Sequence, residues 1–246
     1  MNDERLLAYE LEGVHHSIFI MTKPMENSPR IFITADGSHS MFSQEHGVSY
    51  HSKHGAIQET QHVFIDAAYH FKLPHQQQFS ILEIGFGTGL NAFMTWLESE
   101  KTNHQIQYTA VEAFPISMEE AKKLNYYNSL QQDFSKFLKL HESPWEEAIP
   151  LSDNFLFTKN KKRFEELEFK NEFDIIYFDA FAPNAQPELW DEKILQKMYD
   201  ALKTNGVLTT YCAKGVVKRT LKAIGFKVEA IPGPPGKREM TRAIKQ

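Results

Sequence analysis

The stretch that most restricts what this chain can fold into is Ile81-Leu82-Glu83-Ile84-Gly85-Phe86-Gly87-Thr88-Gly89-Leu90. An apolar run holding one acid meets three glycines at alternate positions, and Asn91 to Leu97 resumes at helical spacing. The pattern reads as a strand, a tight turn and a helix start. Glycines in such a turn let the backbone lie against a ligand, because no Cβ blocks the approach. A dinucleotide fingerprint places its third glycine one residue later, where Leu90 stands, so the fit to NAD is imperfect.

A second strand follows at Ile106–Glu112 and also ends in an acid. In a nucleoside-binding βαβ unit, a carboxylate at that tip, roughly 20 residues past the turn, accepts hydrogen bonds from ribose hydroxyls. Glu112 stands 23 residues after Gly89. Phe173-Asp174-Ile175-Ile176-Tyr177-Phe178-Asp179 is a continuous apolar run suited to a central parallel strand covered on both faces. It ends in Asp179-Ala180-Phe181-Ala182-Pro183, at the carboxyl edge where open α/β sheets bind ligands.

The remaining chain fills in around these strands. Ser17–Met21 and Arg30–Thr34 are strand-like runs broken by Pro24, Pro29 and Asp36-Gly37, so residues 1–55 read as a small β-rich extension. Residues 56–246 read as the α/β domain, opened by a helix over 56–71. Residues 115–170 are expected to be mostly helical and polar, with a third strand at Asn154–Thr158. A helix from Trp190 to Leu202 should stop at Asn205-Gly206, before a strand over Val207–Cys212. A basic helix from Val216 to Gly225 leads to a closing antiparallel pair, Phe226–Ala230 with Met240–Ile244.

Composition sets the class. Hydrophobic residues make up 41% and charged residues 24%, an ordinary globular balance. The single cysteine, Cys212, excludes an internal disulfide, suits a reducing compartment and reads as a buried filler. Asp3, Glu4 and Glu10 stand where a signal peptide would be basic, and no apolar run approaches the roughly 20 residues of a membrane helix. A cytoplasmic protein with no membrane partner is expected. The net charge of −5 is uneven: the last 44 residues carry ten Lys or Arg against Glu229 and Glu239, a local +8. That asymmetry fits either a face for a polyanion or a solvated basic surface. Lys159–Arg163 likewise fits a solvated turn or a second phosphate contact. His46, His51, His54 and His62 cluster near Glu59, yet their spacing matches no compact ligand motif. They read as a polar loop partly lining a cleft, and no metal is expected.

Taken in order, Glu83–Asn91, Val111-Glu112-Ala113-Phe114-Pro115, Phe178–Pro183, Pro187-Glu188-Leu189-Trp190 and Gly236-Lys237-Arg238-Glu239-Met240 resemble a known family. It is the methyltransferase domain of the MnmC family, which acts in tRNA 5-methylaminomethyl-2-thiouridine biosynthesis. The resemblance runs from about residue 30 to the C-terminus. It implies a Rossmann-like class I S-adenosylmethionine (SAM)-dependent fold: a mostly parallel seven-stranded sheet, a C-terminal antiparallel hairpin and a small N-terminal β appendage. It also implies transfer of a methyl group from SAM to the amine of 5-aminomethyl-(2-thio)uridine at wobble position 34 of tRNA, with S-adenosylhomocysteine as product. The sequence shows no second glycine fingerprint, so a stand-alone form is expected, without FAD or oxidase activity. The tRNA anticodon stem-loop would then be the partner, and a separate enzyme would supply the aminomethyl precursor.

The family reading gives Glu83, Gly85, Phe86, Gly87, Gly89 and Glu112 to the cofactor. Asp179 has two competing roles, orienting and deprotonating the substrate amine or holding the cofactor's methionyl ammonium. Phe181, Pro183 and Trp190 would exclude water, and Phe181 or Trp190 would stack on a splayed base, although Trp190 equally fits a core position. Lys237 and Arg238, with Lys218 and Arg219, would hold phosphates. Many methyltransferases place an adenine-binding acid after the third strand. Thr158-Lys159-Asn160 stands there, leaving the adenine contact unassigned. The alternatives are a methyltransferase or aminopropyltransferase acting on a small amine, and a non-catalytic RNA-binding module.

Overall fold

The computed structural model describes residues 30–44 and 46–246; the strand expected at Ser17–Met21 lies outside them. Strands β1 (Arg30–Ile33), β2 (His39–Ser43) and β3 (Val48–Ser49) form a three-stranded antiparallel sheet. Helix α1 starts at Ala56–Thr60 and continues with wider π turns through Gln61–His70. The large sheet begins with β4 (Gln78–Ile84), followed by α2 (Leu90–Thr102) and β5 (Gln105–Val111). Short helices α3 (Met118–Ala121), α4 (Tyr126–Ser129) and α5 (Phe134–Glu142) precede β6 (Ala148–Ser152) and β7 (Phe155–Asn160). The chain ends with β8 (Phe173–Phe178), α6 (Glu192–Ala201), β9 (Leu202–Thr210), α7 (Gly215–Ile224), β10 (Phe226–Pro232) and β11 (Glu239–Lys245).

The sheet has eight strands in the order β10-β11-β9-β8-β4-β5-β7-β6. β7, β5, β4, β8 and β9 run parallel, while β11, β10 and β6 are antiparallel to their neighbours. Period-two alternation assigns each strand to both faces. Ile81, Ile175, Tyr177 and Val207 join the residues buried by α1, α2 and α5. Leu82, Ile84, Ile176, Phe178 and Leu208 join those buried by α6 and α7. Every residue of β8 is buried, as a strand covered on both faces requires. Each large apolar side chain removed from water here contributes roughly 1.5–3 kcal/mol.

Two local expectations need correction. The eighth strand, β6, lies inside the stretch expected to be helical. It is an edge strand carrying Pro150, and an edge tolerates the missing N–H that would break a central ladder. Asn205-Gly206 does not stop a helix; α6 already ends at Ala201 and β9 begins at once. Asn205 instead takes a left-handed φ of 63° inside β9, where the pairing with β8 shifts register between Phe173 and Ile175. The C-terminal hairpin pairs as expected, Phe226 with Lys245 through Pro232 with Glu239. No described helix is long and apolar enough to cross a membrane.

From β4 the chain winds outward through β5 to β7, then returns to the other side for β8 and β9. The order reverses beside β4. In open α/β sheets the ligand crevice lies at such a switch point, outside the carboxyl ends of the strands.

Candidate active site

The crevice is present there, and one cavity is lined by Gly85, Gly87, Glu112 and Asp179 together. The glycine turn leaves β4 with Gly85 at φ 91°, Gly87 at 49° and Gly89 at 77°, all left-handed values that a Cβ disfavours. At Gly85 the restriction is also steric, since a Cβ would stand 2.7 Å from the Asp179 carbonyl oxygen. The turn and the loop after β8 are therefore packed against each other. The amides of Gly85 and Phe86 donate to the Val111 carbonyl at 3.0 and 3.2 Å, tying the turn to β5 as well. The first residues of α2, Leu90 and Asn91, also line the cavity, which places a helix N-terminus with its partial positive charge at the wall.

Glu112 is fixed by backbone. One carboxylate oxygen accepts from the Gly87 amide at 3.0 Å and the other from the Phe114 amide at 2.9 Å. Each oxygen keeps a further lone pair for a hydroxyl in the cavity. Phe114 is 57% exposed at the rim, and the Arg163 guanidinium lies 5.7 Å from its ring.

Asp179 follows β8, and its amide donates to the Ile84 carbonyl at 2.9 Å. Its Oδ2 accepts from Asn91 Nδ2 at 2.8 Å, while Asn91 Oδ1 accepts from the Thr60 hydroxyl at 2.8 Å. The pair of bonds fixes which way the amide points. Burial raises the Asp179 carboxyl from 3.8 to about 7, and the Glu59 carboxylate adds to the rise. Asn91 and Lys237 oppose it. The loop itself is pinned twice more: Tyr211 Oη donates to the Ala180 carbonyl at 2.8 Å, and Trp190 Nε1 to the Phe181 carbonyl at 2.7 Å.

The connections flanking β3 add His46, Tyr50 and His51 to the lining. His51 Nε2 is 2.8 Å from Thr88 Oγ1, and burial lowers its pKa to about 4, so it is neutral. This agrees with the sequence reading of a polar histidine loop on a cleft. Among the described residues, no three His, Cys, Asp or Glu side chains converge as a metal site.

Other candidates stand away from the cavity. Glu83 is fully buried beneath the turn, and neither carboxylate oxygen has a hydrogen-bond partner among the described residues. Burial, with the Asp179 charge adding, pushes its pKa well above the usual carboxylate range. Trp190 belongs to the core, 6% exposed and packed on Phe178. Of its two readings the structure gives the core one, and its task is anchoring the Phe181 loop. Pro183 does not line the cavity. Lys237 is paired with Glu59 at 2.7 Å and lies 4.0 Å over the Tyr211 ring, with a third of its side chain exposed. Arg238 is exposed outside the cavity.

The C-terminal basic excess is partly neutralised in the same way. Lys203 pairs with Asp174, Lys218 with Glu239 and Arg242 with Glu229, at 2.7 to 2.9 Å. In the other basic run, Lys159 is 2% exposed and donates to the His141 carbonyl at 2.6 Å, while Arg163 lines the cavity. Sequence reasoning missed Asn91, Tyr50 and the Glu59–Lys237 pair. Asn91 offered a signal, a short amide in the first turn after the glycines. Glu59 offered none, because its partner lies 178 residues away.

Comparison with known proteins agrees with this geometry. Residues 122–246 match a family described as S-adenosyl-L-methionine-dependent methyltransferase. The chain is 33% identical over 207 residues to a protein of Leptospira interrogans named tRNA 5-methylaminomethyl-2-thiouridine biosynthesis bifunctional protein MnmC, covering 78% of this chain and 31% of that one. A Methylobacillus flagellatus protein of the same name is 27% identical, with 81% and 33% covered. The chain thus spans about a third of the length of these curated relatives. The crystal structure of MnmC2 from Aquifex aeolicus superposes with a TM-score of 0.72 at 26% identity, covering 89% of this chain and 71% of that one. Spermidine synthase from Thermotoga maritima, at 16% identity and a TM-score of 0.51, shares the fold.

Proposed function

Because the chain belongs to the S-adenosyl-L-methionine-dependent methyltransferase family that it matches over residues 122–246, we propose that it methylates the primary amine of 5-aminomethyl-(2-thio)uridine at the wobble position of tRNA. The observation carrying this reading is the single cavity in which the glycine turn, Glu112 and a desolvated Asp179 meet. The MnmC-named relatives support the choice of acceptor.

The residues present fit the cofactor. Glu112 offers acceptor lone pairs to ribose hydroxyls, the start of α2 offers N–H dipoles to a carboxylate, and Phe114 with Ala113 offers an apolar wall to adenine. Bound there, SAM supplies an electrophilic methyl group for in-line displacement by a nitrogen lone pair. Positioning and water exclusion carry most of the acceleration in such a displacement. The acceptor must be a free amine, whereas an alkylammonium's reference pKa is near 10.4. Asp179, ionised above its pKa of about 7, orients the amine and takes its proton. A carboxylate also favours ammonium over amine. The apolar enclosure from Phe181 and Leu189 opposes that preference. Arg163 at the cavity and exposed Arg219 and Arg238 supply the phosphate contacts, with Lys237 acting inside through Glu59.

Calorimetric titration with SAM, followed by nucleoside analysis of tRNA incubated with labelled SAM, tests the reading. Expected are one site per chain and labelled 5-methylaminomethyl nucleoside. Label appearing on a small amine and never on tRNA would transfer the chain to a small-amine methyltransferase. Failure to bind SAM would leave only an RNA-binding role.

A further inference from the structure

One part of the cavity lining is built by three rings from two distant segments. His46, in the turn between β2 and β3, and Tyr50, just after β3, come from the N-terminal segment, Phe181 comes from the loop after β8, and all three line the cavity. The ring centroids of His46 and Phe181 are 5.1 Å apart and those of Tyr50 and Phe181 5.0 Å apart, both edge to face. Gln186 lines the same wall, with its Nε2 3.4 Å from His46 Nε2. Tyr50 reaches the glycine turn too: a Cβ on Gly87 would lie 3.1 Å from its Cδ1. The ring of Tyr50 thus stands between the glycine side of the cavity and the Asp179 side.

We infer that His46, Tyr50, Phe181 and Gln186 form the receptor for the acceptor's pyrimidine, so that the connections flanking β3 of the N-terminal sheet supply one wall of the substrate site. This rests on the methyl transfer to a modified uridine proposed above. The chemistry fits a flat heterocycle taken out of its stack. Proteins read single-stranded bases on aromatic faces and at their hydrogen-bonding edges. A uracil edge alternates acceptor, donor and acceptor, and a glutamine amide presents one donor and one acceptor in a plane. A base held against these rings projects its 5-substituent past Phe181 toward Asp179, two residues earlier in the same loop. Tyr50, touching both sides, excludes water from the point where donor and acceptor meet. Glu59, which adds to the rise of the Asp179 pKa, comes from the start of α1, a few residues past Tyr50, so the same N-terminal segment sets both the enclosure and the charge around that carboxyl.

The test is steady-state methyl transfer from SAM to an anticodon stem-loop RNA carrying 5-aminomethyluridine, with wild type, His46→Ala, Tyr50→Leu and Gln186→Ala. Base–aromatic stacking worth about 1–3 kcal/mol predicts that the aromatic variants raise KM for the RNA by about 10-fold or more. The calorimetric Kd for SAM and the melting temperature should move little, and Tyr50→Phe should restore KM. Wild-type activity with unchanged KM in all three variants would overturn the inference alone. It would equally be overturned if Tyr50→Leu weakened SAM binding as much as RNA binding, since the ring would then belong to the donor. No transfer by wild type would remove the functional reading and this inference with it.

Discussion

The two sides of the cavity are built on different principles. The glycine side is local: the turn, the start of α2 and Glu112 come from 28 consecutive residues, 85–112, and backbone groups do most of the holding. The Asp179 side is assembled from far apart: Asn91, held by Thr60, bonds the carboxyl, Lys237 and Glu59 act on its charge, Tyr211 pins its loop and Tyr50 packs on Phe181. Where backbone shape makes a site, short motifs encode it and side-chain identity matters at a few positions. Where side chains from distant segments make it, electrostatics can be adjusted one residue at a time without disturbing the turn. The first arrangement suits an invariant nucleoside cofactor, and the second suits an acceptor whose reactivity depends on one proton.

The largest effect should come where the two sides touch. Gly85→Ala places a Cβ 2.7 Å from the Asp179 carbonyl at a left-handed φ. Strain of about 3 kcal/mol or more should cut kcat/KM for methyl transfer by about 100-fold or more and lower the melting temperature together with it. An active, equally stable variant would show that the sides are not joined there.

Asp179→Asn separates them. SAM affinity should change by less than about 3-fold, while kcat falls by about 100-fold, as expected for loss of a general base. The rising limb of the pH–rate profile near pH 7 should vanish with it. Stability gives an independent readout. The folded-state pKa of Asp179 is raised from 3.8 to about 7, so the folded chain binds more protons than the unfolded one across that window. Stability contributed by the neutral carboxyl is present below about pH 4 and is lost as pH rises through about 7. The asparagine variant should lack this slope and melt about 3 °C higher at pH 8. A retained slope would assign it to other groups.

Glu112→Gln should act on the other side alone. Losing charge-assisted bonds worth about 1.5–3 kcal/mol predicts an increase of about 10-fold or more in Kd for SAM by calorimetry, with KM for RNA unchanged. A smaller effect belongs to Lys237→Met. Removing its positive charge raises the Asp179 pKa further, so the rising limb should move to higher pH, and Glu59→Gln should move it lower. Shifts in the same direction for both would contradict the proposed electrostatics.

The same contrast explains what could be read from the chain. Gly85, Phe86, Gly87, Glu112 and Asp179 share one cavity because each follows a strand at a spacing that topology converts into one edge, whereas Gly89 does not line it. Phe181 was legible because it shares a loop with Asp179. Trp190 and Lys237 carry the residue types that a nucleic-acid surface uses, yet one packs on Phe178 and the other pairs with Glu59. Residue type alone does not distinguish a phosphate contact from a lysine already paired with a carboxylate. Strand β6 escaped notice because an edge strand with Pro150 and half-exposed neighbours shows neither period. Glu83 was read as a cofactor contact, but its carboxyl lies under the turn, a depth that spacing along the chain does not encode.

The most direct test of the central claim is a crystal structure with S-adenosylhomocysteine bound. Expected are the ribose on Glu112, the nucleoside beside Gly87 and Phe114, and the sulfur facing the space between Tyr50 and Asp179. A nucleoside bound elsewhere, or a sulfur turned away from Asp179, would contradict it.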